Sequence, residues 1–131
     1  MSVEFVLWVP VLTYLCTGMF VLNIYLAISS EVQQVANELV RSTISQLGTP
    51  KTDAQLCAEL QSFTLPRVVQ SMSLVQASRF QPFGATSCQR DGENFLTVTV
   101  TYDLTDSAIS RLARMIGFTV TSLERRSVVQ L

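Results

Sequence analysis

The chain has 131 residues, of which 48% are apolar and only 15% charged, with no histidine and three cysteines. Globular domains average about 25% charged residues, so this chain is charge-poor. The deficit is local: no charge occurs from Phe5 to Ser30, and Glu4 and Glu31 close the gap. From Glu31 onward nine Lys or Arg balance nine Asp or Glu, the tenth acid being Glu4. A balanced surface argues against nucleic-acid binding. The absence of His excludes Ser-His and Cys-His catalysis and most zinc sites. No enzyme, cofactor or small-molecule substrate is expected.

The first predicted element is the uncharged run itself, Phe5–Ile28. As a helix it reaches roughly 36 Å, enough for a hydrocarbon core of about 30 Å with some tilt. Trp8 and Tyr25 lie near its two ends, where aromatic rings suit the headgroup interfaces. Thr13, Thr17 and Asn23 interrupt it and can be satisfied by backbone carbonyls or a neighbouring helix. Two other readings compete. A buried core helix is rarely apolar on every side for so long. A signal peptide has basic residues before a shorter apolar stretch and a small-residue cleavage site. A membrane helix over residues 1–29 is the reading adopted, followed by an α+β domain over 30–131.

Glu4 stands at the lip of this helix, where a carboxylate entering hydrocarbon would cost at least about 2.5 kcal/mol at the centre and less near the interface. It either rests among headgroups or awaits a cation. No Lys or Arg occurs in the first forty residues. The nearest candidate is therefore an N-terminal amine, its own or that of another subunit.

Val3-Glu4-Phe5-Val6-Leu7-Trp8-Val9-Pro10 resembles the opening of TadE/TadG-type pseudopilins, minor components of Tad (tight adherence) pilus systems. In that family a basic leader ends in Gly, a prepilin peptidase cuts after it, and the Glu is usually the fifth mature residue. Here Met1 opens the chain and Glu4 is fourth, so a truncated or processed chain is expected. Pro10 lies in the second turn, where the missing backbone donor costs little and a kink is possible.

After the membrane segment, Val32, Val35, Leu39, Val40, Ile44 and Leu47 recur at helical spacing, predicting an amphipathic continuation over Glu31–Leu47. Gly48-Thr49-Pro50-Lys51 breaks it. Thr52 or Asp53 caps a short helix over Ala54–Phe63, with Leu56, Cys57, Leu60 and Phe63 on one side and Pro66 ending it. Val68–Phe80 reads as a bent strand, Gln81-Pro82-Phe83-Gly84 as a turn and Thr86–Arg90 as a short strand. Asp91-Gly92-Glu93-Asn94 reads as a hairpin turn. Phe95–Tyr102 is the clearest strand, Leu96, Val98, Val100 and Tyr102 facing one way and Thr97, Thr99 and Thr101 the other. A helix over Asp106–Ile116 comes next, capped by Thr105 or Asp106 and stopped by Gly117. A closing strand covers Phe118–Val129.

The order of Val98-Thr-Val-Thr-Tyr102, a helical insert, and Phe118-Thr-Val-Thr-Ser-Leu-Glu-Arg-Arg126 also resembles TadE-like proteins. The expected fold is α+β and pilin-like: a long N-terminal helix, a short helix and a small antiparallel sheet.

Cys16 reads as an apolar filler within the membrane segment. Cys57 and Cys88 both fall in the soluble part. A bridge between them would close a loop of about 30 residues, worth roughly 3–4 kcal/mol, and would need an oxidising compartment. The other reading is two unrelated free thiols. A metal pair is discounted because His and further thiolates are missing. Arg125-Arg126 reads as an edge-strand charge pair that discourages aggregation, or as a grip on a partner's acid or an anionic headgroup.

The resemblance implies a single-pass subunit of a bacterial inner membrane, with its C-terminal domain in the periplasm. The flanks lack the Lys and Arg by which the positive-inside rule sets orientation. Its expected partners are the lipid bilayer and other membrane subunits, met through the N-terminal helix. Glu4 would neutralise a neighbouring amine, and Pro10, Thr13, Thr17 and Gly18 would supply packing contacts. Two alternatives stand beside it: a single-pass accessory subunit of a stable respiratory or photosynthetic complex, and a signal-anchored periplasmic binding domain.

Overall fold

The computed structural model describes residues 2–46, 52–82, 88–91 and 95–130. The breaker 48–51, Leu47, the second half of the expected turn at 81–84, the first residues of the expected strand at 86–90 and the hairpin residues 92–94 lie outside them.

One unbroken helix, α1 (Val3–Gln46), carries both the uncharged run and the amphipathic stretch. Its 44 residues span about 66 Å. It passes through Pro10 without interruption. From Ile28 to Val40 its apolar stripe is core: Val32, Val35, Ala36 and Leu39 have no exposure. Thr43 extends the stripe, with its hydroxyl bonded to the Leu39 carbonyl at 2.9 Å. Ile44, expected on the stripe, is instead exposed.

Thr52 caps α2 (Asp53–Glu59) through a capping box with Gln55. The expected helix to Phe63 is corrected in form. A π turn (Leu60–Thr64) intervenes, and α3 (Leu65–Gln70) continues beyond it. The wide turn, in which the Leu65 N–H reaches the Leu60 carbonyl, inserts a residue and rotates α3 relative to α2. Leu60 and Leu65 therefore point inward, while Phe63 is exposed. Pro66 does not end the helix. It sits at the start of α3, where a missing donor is tolerated.

The strand expected over Val68–Phe80 is also corrected. Its first part is helical, Ala77–Arg79 form a 3-10 turn, and only Phe80 makes a bridge, antiparallel to Tyr102. The serines interrupt any period-two stripe, and local side-chain bonds such as Ser71 Oγ to the Val68 carbonyl end the helix instead.

Strands β1 (Cys88–Asp91), β2 (Phe95–Asp103) and β3 (Ser122–Gln130) form an antiparallel sheet in the order β1-β2-β3. Leu96, Val98, Val100 and Tyr102 are buried as the alternation requires, and Leu123 joins them from β3. Between β2 and β3 the helix α4 (Ala108–Met115) is capped by Ser107, whose hydroxyl accepts from the Ser110 N–H, rather than by Thr105 or Asp106. Asp106 adopts a left-handed backbone (φ 61°), which excludes it from the helix start. Gly117 (φ 90°) does terminate it: its N–H bonds Arg114 O, and that of Phe118 bonds Ala113 O. The closing strand begins at Ser122 rather than Phe118, because residues 118–120 line the groove against α1 first.

Candidate functional site

The expected site residues fall on two parts of the molecule. Glu4, Pro10, Thr13, Thr17 and Gly18 all lie on the N-terminal half of α1, and Cys57 and Cys88 join the helical layer to the sheet.

From Val3 to Leu15 the large apolar side chains of α1 are exposed. This helix is long and apolar enough to cross a membrane, and it lies near the N-terminus. Glu4 is exposed in its first turn, where a negative charge is favoured by the helix dipole. Among the described residues it makes no ion pair or side-chain hydrogen bond. Thr13 and Thr17 resolve the choice left open for their hydroxyls: each donates to the carbonyl four residues back, Val9 and Thr13 respectively, at 2.8 Å. They form one stripe with Pro10. Gly18 lies on a different one, with Tyr14, Val21 and Tyr25, and a Cβ built there would meet nothing within 4 Å. The three small or hydroxylated residues grouped by sequence therefore serve two faces.

The Tyr14–Tyr25 stripe borders a groove of about 510 Å³, closed on its other side by Ala113, Ile116 and Phe118–Val120. Tyr14 donates its hydroxyl to the Ile116 carbonyl at 2.9 Å, 102 residues away. Sequence reasoning missed this contact, since nothing in the apolar run distinguishes Tyr14 from its neighbours.

The disulfide is present. Cys57 on α2 and Cys88 on β1 are bonded across a Cα separation of 6.2 Å, and Cys16 is free and exposed on the N-terminal half of α1.

Four further residues of α1, Ser29, Glu31, Gln33 and Asn37, tie the long helix to its domain. Both oxygens of Glu31 accept bonds, from Ser73 Oγ at 3.1 Å and the Leu74 N–H at 2.9 Å, which pins the irregular segment after α3. Arg125 is half-buried and donates Nε to the buried Ser29 hydroxyl at 3.0 Å, with its Nη2 on the same oxygen. The expected free edge charge is thus corrected for Arg125, which sits on the helix-facing side of β3. Ser127 donates to Asn37 at 2.8 Å, and Gln33 donates to the Arg126 carbonyl at 3.3 Å. Ser29, Gln33 and Asn37, four residues apart, form a polar seam for β3 beside the apolar stripe for β2.

Asp103 accepts from the Thr105 backbone N–H at 2.8 Å. The Thr105 hydroxyl, then that backbone bond and the nearby Arg79 guanidinium, hold its carboxyl below the usual range. A second open groove between α1 and α3, about 690 Å³, carries Glu38 and Arg67 among amides and hydroxyls. Among the described residues no group of three His, Cys, Asp or Glu could hold a metal. Comparison with protein families, curated proteins and solved structures finds no match.

Proposed function

We propose that the chain is a membrane-anchored, pseudopilin-like structural subunit that assembles with other membrane subunits in a Tad-type apparatus. The observation that carries this reading is the division of α1. Its C-terminal half is the core of an α+β domain, while large apolar side chains from Val3 to Leu15 stay exposed. A soluble protein does not leave so large an apolar face open; a bilayer or a bundle of like helices covers it. The motif Val3-Glu4-Phe5-apolar-Pro10 at the tip of that bare half supports the pseudopilin class specifically.

The anchor lies in a bacterial inner membrane with residues 30–131 in the periplasm. The Cys57–Cys88 bridge supports that side, because disulfides persist in oxidising compartments. In the assembly Glu4 neutralises the N-terminal ammonium of a neighbour and so sets axial register. Helix exteriors around Pro10, Thr13 and Thr17 pack against that neighbour.

Glu4→Gln tests the reading, since it keeps shape and removes charge. Membrane insertion and domain melting should stay wild type, while co-purification with partner subunits falls by tenfold or more, as expected for losing one partner of a partly buried pair worth several kcal/mol. Glu4→Asp should fall between. Wild-type assembly of Glu4→Gln would sink the mechanism. Protease added to spheroplasts should reach the domain; protection would reverse the orientation.

A further inference from the structure

The groove beside Tyr14 raises a question of depth. A helix needs about 20 residues to cross a 30 Å hydrocarbon core. Wherever such a span is placed within the uncharged residues 5–30, it includes residues 11–24. Ile116–Val120 pack against Tyr14, Val21 and Tyr25, at that same level along the helix. Helix α4 begins beside Ile24 and Ile28 and descends along α1 to Tyr14. If α1 spans the bilayer as proposed above, this end of the domain cannot remain in water.

Its chemistry matches that position. No charge occurs from Met115 to Leu123. Met115 is 79% and Phe118 64% exposed, continuous with exposed Leu15, Met19 and Leu22 across the groove. The lowest backbone groups are already bonded, as hydrocarbon demands: Ile116 O by the Tyr14 hydroxyl, and the N–H groups of Gly117 and Phe118 by the last turn of α4. Higher on α4, Arg111 and Arg114 are exposed, and neither guanidinium has a partner among the described residues. A long cationic side chain there can rise to lipid phosphate while its stem stays among acyl chains.

We propose that α4 and the Gly117 turn form a membrane paddle. Residues Met115–Val120 immerse in the hydrocarbon beside α1, acyl chains fill the groove, and Arg111 and Arg114 bind lipid phosphates. The proposal rests on the membrane-anchor reading, and Trp8, the chain's single tryptophan, separates the two.

The experiment uses the full chain in vesicles of phosphatidylcholine and phosphatidylglycerol with brominated acyl chains. Native Trp8 reports the anchor. In a Trp8→Phe background, Phe118→Trp reports the paddle, and Met115→Trp repeats the measurement if the first variant fails to fold. Quenching and a blue-shifted emission at position 118, lessened when Arg111→Gln and Arg114→Gln are added, are the expected results. Quenching of Trp8 with an unquenched, red-shifted residue 118 overturns the paddle and leaves the anchor standing. Quenching of neither overturns both. A blue-shifted but unquenched residue 118 means that protein covers the groove, as a second copy would, and this also overturns the paddle.

Discussion

The two halves of α1 are written in a similar apolar alphabet and meet opposite fates. Between Val3 and Leu15 apolar residues occupy nearly every position, so they surround the helix and no single face can be satisfied by one domain. Between Ile28 and Thr43 they keep to one stripe, with Ser29, Gln33 and Asn37 on one flank, Glu31 on the other and Arg41 opposite, and a sheet covers the stripe and its polar seam. The lesson is that apolar content alone does not place a segment in a core. Distribution around the helix does: a stripe asks for a sheet, a full cylinder asks for lipid or other helices.

Paired truncations sharpen that comparison most. Leu39→Ala removes a fully buried side chain and should destabilise the domain by about 3 kcal/mol. Leu12→Ala, on the exposed half, should change it by less than about 0.5 kcal/mol. Chemical unfolding of the full chain in detergent micelles measures both, and a comparable loss for Leu12→Ala would break the division. Replacing Cys57 and Cys88 by Ser together should cost about 3 kcal/mol in the same assay, because the bridge closes a separation of 31 residues. An unchanged midpoint would mean that the sheet and α2 hold each other without it.

The glutamates at the two ends of the uncharged run offer a charge-for-charge contrast. Glu31→Ala leaves the Leu74 N–H and the Ser73 hydroxyl without their acceptor and should cost about 1–2 kcal/mol, with faster amide exchange at Leu74. Glu4, lacking such partners, should leave stability untouched when changed to Gln. Thr52→Ala should cost about 1 kcal/mol through loss of the capping box, read as a small shift in the same unfolding midpoint.

The smallest effect is at Asp103. Its carboxyl titrates lower in the folded state than in the unfolded chain, so its contribution is present above the unfolded value, near pH 4, and is lost as pH falls through the folded one. The group is solvent-exposed, so the contribution is slight. Asp103→Asn should flatten only that acid part of the stability profile, and an unaltered acid limb in the variant would show that the carboxylate contributes nothing there.

Much of the fold was legible. The run from Phe5 to Ile28, the stripe through Val32, Val35 and Leu39, the Phe95–Tyr102 alternation, the Gly117 stop and the Cys57–Cys88 bridge each depend on short-range periodicity, backbone sterics or the count of thiols. The errors gathered where distant partners arbitrate. Phe63 looked inward because the period through Leu56 and Leu60 pointed there, but the π turn shifts the phase to fit Leu65 and Val69 into the core. Val68–Phe80 has no consistent period, and Glu31 from the long helix sets its path. Of the residues expected to pack in an assembly, the separation of Thr13 and Thr17 from Gly18 onto two faces was not readable.

The sequence by itself determined that a long helix begins with a charge-free cylinder and continues as an amphipathic stripe, because both properties are fixed by spacing along 3.6 residues per turn. It also determined the face of β2 that is buried, since period two admits one answer once the apolar set is known. Only the tertiary structure decided that Arg125 turns inward to Ser29, that Glu31 holds the segment after α3, and that Ile116–Val120 lie against Tyr14 and Val21. Those contacts join residues 42 to 102 positions apart. No local pattern encodes them, because their free energy exists only once the sheet has brought the two ends of the chain to the same helix.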